Sequence, residues 1–136
     1  VIIRYLGAAA GTGGEVSTGS GSATGYTIHT FKASGSLSLT SNSPVLSGDI
    51  TGTGSLTFNE SGRTIKLTGT NSYGATTITN GTLQVGNNGS TGSLGSGAVT
   101  NNAALAFNRS NDIVVSNDIS GSGTLTKSGA GTRIAM

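Results

Sequence analysis

From Ile65 onward the chain reads Ile65-Lys-Leu-Thr-Gly-Thr-Asn-Ser-Tyr-Gly-Ala-Thr-Thr-Ile-Thr-Asn-Gly-Thr-Leu-Gln-Val-Gly86. Larger residues stand two apart, at Ile65 and Leu67, Thr76 and Ile78, Leu83 and Val85, with small polar residues between them. Period two places one set of side chains on each face of a strand, so each run reads as a short half-buried strand. Gly and Asn separate the runs, as at Asn80-Gly81, where a left-handed backbone costs little. The pattern extends in both directions, through Leu37 and Leu39 upstream and Leu105 and Phe107 downstream. No window carries a helical stripe, and the fold class expected is all-β.

Composition narrows the architecture. Gly, Ser, Thr and Asn make up more than half of the 136 residues, whereas Phe and Tyr contribute three each and Trp is missing. Such a chain lacks the large side chains that fill a sandwich between two facing sheets. A solenoid needs less, because like positions of successive coils stack about 4.8 Å apart over a narrow core of Val, Ile and Leu. We therefore expect a parallel β-solenoid, with five or six coils of roughly 20 to 25 residues and an apolar strand detached at its N-terminal end.

The sequence also repeats itself. Asp49-Ile-Thr-Gly-Thr-Gly-Ser-Leu-Thr-Phe-Asn-Glu-Ser-Gly-Arg-Thr-Ile-Lys-Leu67 aligns without a gap on Asp118-Ile-Ser-Gly-Ser-Gly-Thr-Leu-Thr-Lys-Ser-Gly-Ala-Gly-Thr-Arg-Ile-Ala-Met136, and eight of 19 positions are identical. This suggests units of about residues 35–103 and 104–136, the second incomplete. The expected organisation is an apolar strand at 1–6, a Gly/Ala/Ser/Thr linker at 7–24 and a repeat domain at 25–136.

On these residues the chain resembles the autotransporter passenger-associated β-strand repeat. That family's pattern runs Gly-x-Gly-x-Leu-x-Lys, Leu-x-Leu-x-Gly-x-Asn-x-Tyr, then Gly-x-Thr-x-Ile-x-x-Gly-x-Leu-x-Val. Asn71, Tyr73, Thr76, Ile78, Gly81, Leu83 and Val85 fall on it, and 121–131 opens a second copy. Phe58 replaces the pattern's Lys, Glu60 a Gly, and one residue is missing between Tyr73 and Gly74. The resemblance covers about residues 48–136 and implies a β-helical stalk, adhesin or fibre on the bacterial surface or outside the cell. Residues 1–40 are more weakly similar to glycine-rich domains of phage tail fibres and bacterial surface proteins.

Little in the chain suggests catalysis or a cofactor. His29 is the single histidine, in strand alternation, and the acids Glu15, Asp49, Glu60, Asp112 and Asp118 are scattered. Asp49 and Asp118 hold equivalent repeat positions, which favours a structural turn or ladder role over a catalytic pair. There is no cysteine, and the Gly7-to-Gly14 stretch lacks the Lys-Ser/Thr of a phosphate loop. The seven Lys and Arg are dispersed, giving net charge +2 without the basic patch a nucleic-acid binder needs. Apolar runs such as Val1-Ile2-Ile3 are far too short for a membrane-spanning helix. Lys32, Lys66 and Lys127, with Glu60 or Glu15, are candidates for an isopeptide bond of the kind found in surface fibres.

The functional expectation is an extracellular fibre subunit with no catalytic activity. Val1, Ile2, Ile3, Tyr5 and Leu6 of one copy would complete the open end of the next near Ile134 and Met136, giving a head-to-tail homopolymer by strand addition. The alternatives are a monomeric adhesin or autotransporter passenger stalk, facing a host surface or glycan, and a phage tail-fibre segment.

Overall fold

A computed structural model of the chain describes residues 2–6, 11–12, 15–18, 26–30, 38–39, 43–131 and 134–135, with side chains described over 43–131. Every regular element among them is a strand. Five lie upstream of the solenoid sheet: β1 (Ile2–Leu6), β2 (Gly11–Thr12), β3 (Glu15–Thr18), β4 (Tyr26–Thr30) and β5 (Ser38–Leu39). Nine follow: β6 (Val45–Leu46), β7 (Leu56–Leu67), β8 (Thr76–Gly89), β9 (Val99–Asn101), β10 (Ala104–Arg109), β11 (Ile113–Val114), β12 (Ile119–Ser120), β13 (Thr124–Ser128) and β14 (Ile134–Ala135).

All pairings from β6 onward are parallel and join residues about one coil apart. The chain is a parallel β-solenoid, as its period-two pattern implies. Leu56, Thr76, Val99 and Ile119 stack on one side of the coil. On a second side Ile65, Leu83, Leu105 and Leu125 form one inward column, and Leu46, Leu67, Val85, Phe107 and Lys127 form another. The third side carries Ile50, which accepts a bond from Ser72 N at 2.9 Å, then Ser93, whose N donates to Gly69 O at 3.2 Å, and the β11–β14 pair. The rungs give about four turns, fewer than the five or six expected, because the parallel stack starts at Val45 and the strands before it pair otherwise.

The core is narrow, filled by these inward columns. Ile50, Leu67, Tyr73, Ile78, Leu83, Val99 and Leu105 are fully buried, and Phe107 and Val85 nearly so. Each such aliphatic or aromatic side chain stabilises the coil by about 1.5–3 kcal/mol through area removed from water, so a few per turn suffice. No buried side-chain nitrogen or oxygen among the described residues lacks a hydrogen-bond partner.

The repeated segments do not stack on one another. Ile50, Leu56 and Ile65 lie on the third, first and second sides, whereas their counterparts Ile119, Leu125 and Ile134 lie on the first, second and third. Three coils along the first side carry Leu56 to Ile119, so an offset of 69 residues overshoots whole coils by one side. The sequence repeat is thus three and one-third turns long. The shared Gly corner survives the change: Gly52 has φ 120° and its counterpart Gly121 has φ 107°. Both are left-handed conformations that only glycine adopts cheaply.

The N-terminal expectations change in part. β1 does lie outside the solenoid sheet, but it forms an antiparallel sheet in the order β1-β4-β3. The 7–24 stretch, expected to be a linker without strands, contributes β2 and β3, with β2 antiparallel to β5. Antiparallel neighbours need no long run of alternation, and Val16 with Ser17 and Thr18 suits a strand. Leu39, which continues the alternating pattern upstream, falls in β5 and outside the solenoid sheet.

Candidate functional site

Of the residues expected to drive assembly, Ile2, Ile3, Tyr5 and Leu6 lie in β1 opposite Thr30, His29, Thr27 and Tyr26 of the same chain. Ile134 lies in β14 opposite Ile113, and Val1 and Met136 fall outside the described residues. β1 and β14 thus belong to different sheets. His29 is in β4, between Ile3 of β1 and Val16 of β3.

Polar side chains in the solenoid are spent chiefly on holding one coil to the next. Asn71 is buried; its Oδ1 accepts from Ile50 N in the coil before at 2.9 Å, and its Nδ2 donates to Ser93 O in the coil after at 2.6 Å. Its own N–H donates to Ser93 Oγ at 2.7 Å. Asp49 Oδ1 accepts from Thr70 N at 2.7 Å, a coil-to-coil contact at a position expected to be structural. Two residues on, the buried hydroxyl of Tyr73 shares a 3.1 Å hydrogen bond with Thr76 Oγ1. Burial raises the Tyr73 pKa above its ordinary 10.0, against the lowering effect of its bonds with Thr76 and Gly95.

A hollow of about 420 Å³ lies between 92–96 and 112–117. Leu94 and Phe107 line its apolar wall, with Asn71, Arg109, Asp112 and Asn117 as its main polar groups. Arg109 acts as a clamp: its guanidinium donates to Ser90 O, Gly92 O and, at 3.1 Å, Asn111 Oδ1. Asn117 Nδ2 is likewise used, donating to Gly95 O at 2.8 Å and Gly97 O at 2.7 Å. No group of three metal-binding side chains occurs among the described residues. Such a lining can offer hydrogen bonds to a polar ligand.

Of the isopeptide candidates, the side chains of Lys32 and Glu15 lie outside the described residues. Glu60 Oε2 pairs with Arg63 Nη1 at 3.2 Å, and Lys127 Nζ donates to Ser128 O at 2.7 Å and Arg109 O at 3.4 Å. The clamps of Arg109 and Asn117 were not foreseen. Their only trace in the sequence is a spacing of about one coil to the carbonyls they hold, which becomes readable once the coil length is known.

A stretch of 54 residues, 40% of this chain, is 54% identical to the Adhesin BmaC autotransporter of Brucella suis biovar 1 (strain 1330). Sequence and fold together fit a repeat segment of an autotransporter passenger. The match spans 2% of the length of that relative. No protein-family model matches the chain, and no solved structure does. No helix among the described residues is long and apolar enough to cross a membrane.

Proposed function

We propose that the chain is a non-catalytic stalk segment of a bacterial adhesin passenger, at the cell surface or outside the cell. The observation that carries this reading is the 54% identity to an autotransporter adhesin in a chain folded as a parallel solenoid. The physical design agrees: stacked coils add length at about 4.8 Å each, and inter-coil bonds such as those of Asn71 resist sliding. Contact with a host surface or glycan is then a task of the longer passenger, which the stalk holds at a distance.

The head-to-tail homopolymer is the lesser reading. Its donor strand, β1, is paired through one edge with β4 of its own chain, so it would have to leave that sheet to insert into the open end of a neighbour. Mass in solution and electron microscopy of the purified chain separate the two. A monomer at micromolar concentration is expected for the stalk. Filaments whose formation requires residues 1–6 would overturn it in favour of strand donation between copies.

A further inference from the structure

The chain contains two Asn-Gly dipeptides, Asn80-Gly81 and Asn88-Gly89, and the solenoid treats them oppositely. Asn80 lies between coils, with Nδ2 donating to Asn59 Oδ1 at 2.6 Å. Gly81 is packed so closely that a Cβ there would collide with Glu60 O and lie 2.9 Å from Arg63 O. Asn88, exposed like Asn80, lies near the end of β8 at φ 61°, where the β8–β10 register shifts, and its side chain makes no hydrogen bond among the described residues. A Cβ on Gly89 would meet nothing within 4 Å.

We propose that Asn88 is a site of spontaneous deamidation in the folded protein and that Asn80 is protected from it. In the reaction the Gly89 backbone nitrogen gives up its proton to solvent and attacks Asn88 Cγ. The N–Cγ bond forms, the Cγ–Nδ2 bond breaks, and Nδ2 takes a proton back from solvent and departs as ammonia. Water then opens the resulting succinimide at either carbonyl, giving aspartate or isoaspartate with no change of oxidation state. Gly89 holds the last rung of the β8–β10 ladder, so fraying that one rung frees the nucleophile, and the open space around Gly89 lets the amide approach it. At Asn80 the same approach requires breaking the bond to Asn59 and lifting Gly81 off Glu60, a local opening of the sheet.

The product has a consequence for the stalk. It lowers the net charge by one and puts a carboxylate into the corner whose carbonyls at Ser90 and Gly92 are clamped by Arg109. Isoaspartate also lengthens the backbone just before Gly89, which is in register with Arg109. A chain that ages outside the cell would therefore loosen first at this corner.

The full purified chain, incubated at mildly alkaline pH and sampled over days, tests the proposal by peptide mapping of the amide-to-acid mass gain at each site. Conversion at Asn88 is expected to outpace that at Asn80 by roughly tenfold or more, since each 1.4 kcal/mol of local opening is a factor of ten. The same chain unfolded in urea should convert at both sites at comparable rates. Gly89→Ala, which the open space accommodates, should slow conversion at position 88 while leaving the fold intact. Equal rates at the two sites in the folded chain, or faster conversion at Asn80, would overturn the proposal. So would an Asn88 that converts in urea and stays intact in the folded protein.

Discussion

Segments 49–67 and 118–136 share their corner glycines and their Leu-Thr strand starts, yet they meet different neighbours. The first enters the stack from the third side, runs over the first and ends on the second, with the following coil along its length and β6 on its other flank at Lys66 and Leu67. The second begins one side further on, and its Leu125 column position is 42% exposed where Leu83 and Leu105 above the first copy are fully buried. Equal local sequence thus yields equal corners and unequal cores. The three sides of the coil are interchangeable for this motif, because each asks only for an inward apolar residue at every second position and a glycine at the bend.

Four experiments would break or sharpen that comparison. The largest effect is expected where the copies differ in chemistry, at Phe58 and Lys127. Phe58 is nearly buried, so Phe58→Ala should cost about 3–5 kcal/mol in denaturant unfolding. Lys127→Ala should cost about 1 kcal/mol or less, because its ammonium bonds only carbonyls at a partly exposed position. Similar costs at the two would mean that the second copy is as enclosed as the first.

Next come the corners. Gly52→Ala and Gly121→Ala should each cost about 1–3 kcal/mol from the left-handed backbone alone. At Gly121 an added Cβ also collides with Asn101 O, so that variant should be the worse. A neutral result at either would show that the two corners are not the same turn.

A smaller effect distinguishes the enclosed copy by pH. Tyr73, just beyond the first copy, has its pKa raised by burial, so the unfolded chain ionises before the folded one does. Its contribution to stability is complete below pH 10.0 and declines as pH climbs from there through the higher folded value. Tyr73→Phe should flatten that alkaline decline while losing about 1 kcal/mol at neutral pH with the Thr76 bond. An unchanged alkaline slope would show that other groups set it.

The smallest effect is expected from exchanging the shared strand starts. Replacing Ser120, Ser122 and Thr124 with the Thr, Thr and Ser of positions 51, 53 and 55 should shift stability by no more than about 0.5 kcal/mol, the usual range for surface changes. A larger loss would mean that the two sides read those hydroxyls differently.

Strand content was legible from the sequence because period two and Asn-Gly or Gly-x-Gly punctuation are local properties, set by backbone sterics at 65–67, 76–78 and 83–85. The narrow core was legible too, from the scarcity of aromatic residues. The inter-coil bonds of Asn71, the Arg109 clamp and the hollow beside it were not, since each joins residues some 17 to 22 positions apart. The strands of the 7–24 stretch escaped as well, because Gly11–Thr12 and Glu15–Thr18 are too short to show a period and gain their order from partners.

By itself, then, the sequence determined that the chain would turn at its glycines and bury every second residue between them. Only the tertiary structure decided which side of the coil each copy occupies, because that depends on the summed length of every intervening corner. A difference of a few residues per turn accumulates over three turns into a rotation by one whole side.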